Sequence, residues 1–340
     1  MSFGRHNVLS VMVVALNEAK HIPRLMGALS DLRLPPSWSC ETILVDGGST
    51  DGTPDIAREL GVDTVLSMPG ASIPVCRNAA LRAARGTALA FLDGDCMPDV
   101  AWLEVAAPYL VSPEPTMLGF PVRPPASGNW IQRAWHAHWQ HKNNAAQNDA
   151  LAPFDREAFR LITTRNMLFN RALLQVVPQF DEKLVTGEDT DFAFRATEAG
   201  AHVMALPTLV VTHLGEPATL QDYYRQQLWH ANRRAYATIL RSSGGKRGAN
   251  AIYFTLAFLG SLFLAVAGIL AAAIFVSFWP LLLLLPIVAV TSAPALLIAL
   301  RARSLMLLPK LSVLYFLYGL ARSIDFLGMA PEKPSWKRKG

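Results

Sequence analysis

Cysteine is scarce in this chain of 340 residues, which contains only Cys40, Cys76 and Cys96. The number is odd and no two of them form a CxxC pair, so neither a disulfide framework nor a zinc site is expected. Reduced thiols of a cytosolic compartment are the predicted state. Val8–Leu16 is not expected to be a signal peptide, because it is rich in β-branched residues and no small-x-small cleavage pattern follows closely. That run is typical of a buried strand.

Charge is missing altogether from residues 251–300, which contain no Asp, Glu, Lys or Arg. About 20 apolar residues cross a bilayer as a helix, so this run is too long for a single span. Residues 278–280 (Phe-Trp-Pro) interrupt it, and we predict two spans at about 252–275 and 281–300. The alternative is a buried hairpin in a soluble protein, which requires more surrounding protein than this chain offers.

The net charge of +5 is concentrated at one end of the chain. Residues 301–340 hold eight Lys/Arg and two acids, whereas residues 1–300 hold 23 basic and 24 acidic residues. A nucleic-acid-binding protein would carry its basic residues on the folded domain, so no nucleic-acid partner is expected. A basic tail beside apolar segments instead suits an anionic membrane surface, with membrane lipids as partners.

Basic residues flank the two predicted spans on their outer sides, while the turn between the spans is uncharged. By the positive-inside rule both flanks lie in the cytoplasm, which predicts a multi-pass protein of the inner (cytoplasmic) membrane whose large N-terminal domain is cytoplasmic. We predict an α/β domain at 1–245, a membrane domain at 246–330 and a basic tail at 331–340. A further apolar segment lies at about 305–328, but its uncharged part is short for a membrane span. This favours an interfacial or re-entrant helix, and a third span is the alternative.

Strand and helix patterns alternate over the first 110 residues. Strands are predicted at 8–16, 42–46, 62–66 and 87–93, and helices at 18–32, 54–60, 73–85 and 99–110. This alternation predicts an α/β, Rossmann-like, mostly parallel sheet with helices on both faces. Ligands bind such sheets at the carboxyl ends of the strands, and polar clusters follow the first, second and fourth strands.

Asp93-Gly94-Asp95 follows the fourth predicted strand. Residues i and i+2 of an extended segment point to the same side, so the two carboxylates can share a hard cation or divide between a cation and a sugar hydroxyl. Oxygen ligands that leave room for substrate phosphates suit Mg²⁺ or Mn²⁺. A lone DxD pattern is common in loops, and its position after an apolar strand is what gives it weight.

Several motifs in order resemble those of family-two inverting glycosyltransferases with a GT-A fold, of the membrane-anchored bacterial type. They are VVALNE at 13–18, VDGGSTDGT at 45–53, RN at 77–78, FLDGD at 91–95 and GEDTD at 187–191. The resemblance covers about residues 8–240 and implies a GT-A catalytic domain followed by transmembrane helices. The family often has a second aspartate where this chain has Gly47, which puts a second-carboxylate role there in doubt.

The resemblance implies a role for each matching donor-binding residue. Ala15 and Leu16 would line the base pocket, and Glu18 would lie near the donor nucleotide. Asp46 would hydrogen-bond the base, commonly uracil, and Arg77 would contact the nucleotide.

The resemblance also implies the residues that perform the chemistry. Asp93 would bind the ribose or sugar side and Asp95 the metal, Mg²⁺ or Mn²⁺. Asp189 would be the general base, with Glu188 beside it in the catalytic motif. His213 would be a further metal ligand near the diphosphate, although an ordinary strand-end histidine is the alternative. The alternative for the acids is stabilisation of a helix N-terminus by its dipole.

Two other segments have structural interpretations. Trp135 and Trp139, one helical turn apart and interspersed with histidines at no standard metal spacing, indicate an interfacial amphipathic helix or an acceptor groove. Residues 223–241 are predicted to form a basic helix that leads into the first span. Related processive synthases carry a QxxRW motif about here, and residues 226–230, QQLWH, do not match it.

The predicted function is metal-dependent, inverting and non-processive transfer of one sugar from a nucleotide-sugar, UDP-linked by preference, to a lipid-linked or envelope-glycan acceptor. A nucleotidyltransferase is a second class, but the loop after Leu16 lacks its Gly-rich phosphate loop and lysine. A non-catalytic membrane scaffold is a third, and the intact Asp93, Asp95 and Asp189 argue against it.

Overall fold

A computed structural model of the protein describes residues 6–142, 158–184, 187–231 and 249–330. The described chain forms two compact units. Among the described residues, one unit contains 6–126, 158–184 and 187–215, and the other contains 127–142, 216–231 and 249–330. The predicted division at residue 245 stays a prediction.

Alternating strands and helices build the first unit. Its strands are β1 (Asn7–Ala15), β2 (Trp38–Asp46), β3 (Thr64–Ser67), β4 (Ala88–Asp93), β5 (Cys96–Pro98), β6 (Thr116–Gly119), β7 (Met167–Asn170), β8 (His202–Ala205) and β9 (Val211–His213). Its helices are α1 (Ile22–Ser30), α2 (Thr53–Glu59), α3 (Ile73–Ala83), α4 (Trp102–Leu110) and α6 (Glu188–Glu198). The intervening helix α5 (Trp130–Lys142) belongs to the second unit.

A mixed sheet of seven strands, in the order β3-β2-β1-β4-β7-β6-β8, forms the centre of this unit. β1 runs parallel to β2 and β4, β2 runs parallel to β3, and β6 runs parallel to β8. β7 is antiparallel to both of its neighbours. The predicted α/β, mostly parallel sheet is confirmed, with one reversed strand that the sequence pattern did not predict.

Both faces of the sheet are buried, which explains why its central strands are continuous apolar runs. Side chains alternate along β1: Leu9, Val11 and Val13 pack into one core and Met12 into the other. Because β1, β2 and β4 run parallel, their carboxyl ends reach the same edge of the sheet. The polar clusters that were predicted to meet there follow these three strands.

Helix α1 begins at Ile22, four residues after the predicted start at residue 18. Pro23 lies in its first turn, where proline is favoured because it has no preceding helical turn to clash with and its missing N–H has no helical partner there. Asn17 adopts a φ of 57°, a left-handed conformation that asparagine accepts more readily than most residues. Residues 17–20 therefore belong to the loop at the sheet edge and not to the helix.

Antiparallel strands β5 and β9 form a separate two-stranded sheet. Their register places Cys96 opposite His213, and the Leu214 N–H donates to the Asp95 carbonyl at 2.9 Å. This small sheet brings the end of the Asp93–Asp95 motif beside a histidine from far along the chain.

The second unit is helical. It contains α5 (Trp130–Lys142), α7 (Leu220–His230), α8 (Ala249–Phe275), α9 (Leu285–Arg301) and α10 (Leu307–Phe326), with a 3₁₀ turn at Trp279–Leu284. Within the described residues, two segments are long and apolar enough to cross a membrane: Ala251–Phe275 and Trp279–Arg301. They coincide with the predicted spans. The segment predicted at about 305–328 forms α10, and whether it spans stays a prediction.

Aromatic side chains hold α5, α7 and α10 together. Trp135 stacks on His138 with ring centroids 4.4 Å apart and packs edge-on against Tyr223 at 5.1 Å. His138 Nδ1 lies 2.7 Å from the Tyr315 hydroxyl. His138 therefore has a packing role in this unit. The basic helix predicted at 223–241 is described only to residue 231, and the tail at 331–340 lies outside the described residues.

Candidate active site

The loops after β1 and β2 are hydrogen-bonded to each other at the carboxyl edge of the sheet. The Asn17 N–H donates to Ser49 Oγ at 2.8 Å, and the Glu18 N–H donates to Thr53 Oγ1 at 2.8 Å. A hydroxyl of the second loop thereby satisfies each of these two backbone donors. The two predicted donor-binding segments form one connected surface.

Asp46, at the end of β2, is buried and accepts hydrogen bonds from its own loop. The Gly48 and Ser49 N–H groups donate to its carboxylate at 3.0 and 3.1 Å. Ala15 and Leu16 are also buried, next to it at the end of β1. A carboxylate has about four acceptor sites, so Asp46 retains capacity for another donor. Its predicted contact with a base stays a prediction.

Asp95 and His213 form an ion pair, with 3.0 Å between Asp95 Oδ2 and His213 Nε2. Burial raises the pKa of Asp95, but the hydrogen bond and charge of His213 outweigh it and hold the pKa below its usual value. A methyl group at Gly215 would collide with Asp95 Oδ2, so glycine leaves this carboxylate the room to reach the histidine.

Asp95, Cys96 and His213 place one possible metal-ligand atom each within 4.8 Å of one another. Burial raises the pKa of the Cys96 thiol well above its usual value, so this thiol stays protonated and is a poor ligand for a hard cation. Carboxylate oxygen and imidazole nitrogen are ligands that Mn²⁺ accepts. The donor set therefore fits a divalent metal held by the two residues that the sequence analysis named.

Asp93 and Glu18 add two more carboxylates beside Asp95. Burial raises the pKa of Asp93, Arg77 opposes that shift, and the negative charge of Asp95 adds to it. Glu18 lies against Gly94, and burial raises its pKa although His21, 2.8 Å away, opposes the shift. Like charges gathered in a partly desolvated site favour a bound cation.

Arg77 on α3 forms a buried ion pair with Glu188 at the start of α6. Burial lowers the pKa of Arg77, but Glu188, Asp189 and Asp93 together raise it above its usual value. The guanidinium therefore links the Asp93 motif to the acidic motif of α6. Its predicted contact with the nucleotide stays a prediction, since the described partner of Arg77 is a protein side chain.

Asp189 lies in the first turn of α6 and is half-buried. Gly187, with a φ of 80°, precedes the helix in a left-handed conformation that suits glycine. The Thr190 N–H donates to Asp189 Oδ1 at 2.7 Å. The helix start thus orients this carboxylate, while Asp191 is engaged by Arg195 at 2.7 Å. The structure separates the three acids of the motif by partner: Glu188 with Arg77, Asp191 with Arg195, and Asp189 with its own turn.

Asn78 fixes the segment that leads into α6, and the sequence pattern did not indicate this role. Its Nδ2 donates to the Phe180 carbonyl at 3.1 Å and to Glu182 Oε1 at 2.8 Å, and the Phe180 N–H donates back to its Oδ1 at 2.8 Å. Asn78 directly follows Arg77, so two consecutive residues of α3 hold both ends of one segment. The RN pair was quoted as a motif, but nothing in the sequence indicates which backbone the asparagine would bind.

The mixed sheet, with acidic residues following its strands at one edge, has the GT-A fold. Residues 10–177, just under half of the chain, match the family model described as Glycosyl transferase family 2, and this match supports a family-two glycosyltransferase. The chain is therefore a glycosyltransferase, and the nucleotidyltransferase and scaffold alternatives are not supported.

A curated relative and two solved structures are similar to the chain. Glycosyltransferase AglE of Haloferax volcanii is 26% identical over 216 residues, which cover 62% of this chain and 67% of that protein. The mannosyltransferase PcManGT of Pyrobaculum calidifontis, in complex with GDP-Man and Mn²⁺, has a TM-score of 0.62 at 18% identity and covers 96% of this chain and 88% of its own. TarS 1-349 of S. aureus, in complex with UDP, has a TM-score of 0.51 at 18% identity, and the match covers 94% of this chain and 91% of the TarS chain. At these identities the solved structures establish the fold.

Proposed function

We propose that this glycosyltransferase moves a single sugar from a nucleoside diphosphate-sugar, UDP-linked by preference, to a lipid-linked or envelope-glycan acceptor, with inversion. The observation that carries the proposal is the position of Arg77, which forms a buried ion pair with Glu188. Burial lowers the pKa of Arg77, but the charges of Glu188, Asp189 and Asp93 raise it above its usual value. This link supports one site in which the donor-binding and proton-accepting carboxylates act together. The solved neighbours, determined with GDP-Man and with UDP, support a nucleoside diphosphate donor.

Asp95 and His213 are the proposed metal ligands. Asp95 Oδ2 and His213 Nε2 lie 3.0 Å apart where β5 begins and β9 ends. Asp93 and Glu18 supply further negative charge. A divalent cation held here would neutralise the charge that develops on the departing nucleoside diphosphate. The Mn²⁺ in the PcManGT complex supports a metal of this kind, and Mg²⁺ is the other candidate.

Asp189 is the proposed general base. A single in-line displacement needs a carboxylate that accepts the proton of the acceptor hydroxyl as that oxygen attacks the anomeric carbon, and the attack inverts this centre. Asp189 is half-buried, while its neighbours Glu188 and Asp191 are engaged by arginines. Of the motif's three acids it is therefore the best suited to meet an acceptor. Glu188 supports it by holding Arg77.

The acceptor is proposed to be lipid-linked because enzyme and substrate would share a surface. Two candidate spans support attachment to the inner membrane, and basic flanks support a cytoplasmic catalytic unit. The missing QxxRW motif supports transfer of one sugar rather than processive synthesis.

The test is a transfer assay with the full chain in nanodiscs, a panel of radiolabelled UDP- and GDP-sugars, and Mn²⁺ or Mg²⁺. The proposal expects metal-dependent incorporation of one sugar into a polyprenyl phosphate. Incorporation only into soluble acceptors would overturn the lipid-linked acceptor. Polymeric products would overturn the non-processive assignment.

A further inference from the structure

The helical unit contains an apolar groove that the proposed chemistry does not use. Helices α7, α9 and α10 form its walls around a volume of about 610 Å³. Leu220 and Tyr224 contribute from α7, Val288 and Ser292 from α9, and Phe316 and Leu320 from α10. All of these residues belong to the second unit, so the groove is a property of that unit alone.

No lining residue of the groove carries a charge. Its few polar groups are amide and hydroxyl groups, and one of these, Ser312 Oγ, donates within the unit to the Leu308 carbonyl at 2.8 Å and contacts Ser292 Oγ at 3.2 Å. An ionic group inside the groove would be unpaired at considerable cost. A hydrocarbon chain, by contrast, leaves no polar group unpaired in the groove and gains dispersion contacts with its apolar walls.

The two kinds of wall indicate what occupies the groove. α9 belongs to the candidate span Trp279–Arg301, whose outer surface would meet lipid hydrocarbon. α7 instead carries exposed ions, Asp222 and Arg225, which require water or headgroups. The groove therefore extends from a polar boundary to a membrane-spanning wall, the profile of an amphiphile with a long apolar chain.

We propose that this groove binds the hydrocarbon chain of the lipid-linked acceptor. The inference rests on the proposed function, which supplies the acceptor class, and it adds a specific binding site for the chain of that lipid. The groove would retain the lipid through its chain, independently of the sugar donor.

The experiment uses the full protein in phosphatidylcholine nanodiscs with a polyprenyl phosphate that carries a photoactivatable diazirine near the start of its chain. After illumination, mass spectrometry locates the labelled peptides. The proposal expects labelling within 285–301 and 307–326 that excess phosphatidylcholine does not remove.

Val288→Trp fills the groove, and Val266→Trp on the exposed side of α8 is the matched control. We expect Val288→Trp to reduce labelling of the groove about tenfold, equivalent to about 1.4 kcal/mol of chain binding. The same substitution should raise the KM for the lipid acceptor by a similar factor and leave the KM for the sugar donor unchanged. Val266→Trp should leave both unchanged.

Three results would overturn the proposal. Equal labelling of Val288→Trp and the wild type would exclude the groove, and loss of labelling with excess phosphatidylcholine would assign it to bulk lipid. Crosslinks to a second copy of the chain would make it an interface between copies. In each case the wild type still transfers sugar to the polyprenyl phosphate if the proposed function is right, so the two failures are distinguishable.

Discussion

Arg77 and Glu188, 111 positions apart in the chain, form a buried ion pair that joins α3 to the start of α6. Both side chains are less than a tenth exposed. A buried pair of this kind contributes little net stability compared with an apolar substitute, but loss of one partner leaves the other charge buried and unpaired. The pair therefore fixes where α6 begins, and with it the position of Asp189.

Glu188→Gln should destabilise the protein by about 3–5 kcal/mol, because Arg77 would keep its charge without a partner. Unfolding of the detergent-solubilised protein measures the change. Arg58→Ala is the control, since its pair with Asp55 is exposed and should contribute within about 1 kcal/mol. Equal destabilisation by both variants would show that the Arg77–Glu188 pair has no special structural role.

Asn78→Ala should lower kcat while leaving donor binding nearly unchanged. The Phe180 N–H and carbonyl would lose their partner in a buried setting, at a cost of about 1–3 kcal/mol, and the segment before α6 would shift. Steady-state kinetics with donor and acceptor varied separately measures the split. If kcat were unaffected while stability fell, Asn78 would serve the fold and not the position of Asp189.

Asp51 gives the loops at the sheet edge an acid-sensitive contact. Burial raises its pKa, but hydrogen bonds from the Thr53 hydroxyl and from the Ala19 and Thr53 N–H groups outweigh it and hold the pKa below its usual value. The stabilisation that these hydrogen bonds give the folded protein is fully present above the pKa of Asp51 in the unfolded chain. It is lost as the pH falls through the lower pKa of Asp51 in the folded protein. Wild-type stability should thus fall more steeply than that of Asp51→Asn from about pH 5 to about pH 2. Parallel pH profiles would contradict this.

His213→Gln should abolish thermal stabilisation by Mn²⁺, because ligand binding to the folded state alone raises the melting temperature. Gly215→Ala should weaken it too, since the added methyl group displaces the Asp95 carboxylate. His202→Gln is the control: His202 pairs with Glu114 at 3.2 Å and belongs to no ligand cluster among the described residues. Equal Mn²⁺ stabilisation of His213→Gln and the wild type would exclude His213 as a ligand.

The sequence predicted the elements that carry a local apolar pattern. β1, β2 and β4 were recognisable because strands buried on both faces are continuous apolar runs, and the polar residues after them reach the same edge. Both candidate spans were predictable from composition alone.

Contacts between distant short segments were not predictable from pattern. β5 and β9 have three residues each, too few for a periodic signal, yet their register sets Asp95 beside His213. The resemblance had suggested this histidine, but only the fold supplies its distance. Likewise, nothing local in the RN motif indicates that Arg77 would meet Glu188, because the pairing depends on how α3 and α6 pack.

The central claim is that Asp189 accepts the acceptor proton in a single inverting displacement. The most direct measurement is transfer by the wild type and by Asp189→Asn, with the product's anomeric configuration read by NMR and Asp191→Asn as the matched control from the same helix turn. The account predicts an inverted product and a kcat about 10²–10⁴-fold lower for Asp189→Asn, with Asp191→Asn close to wild type. A product that retains the donor's configuration, or an unimpaired Asp189→Asn, would contradict it.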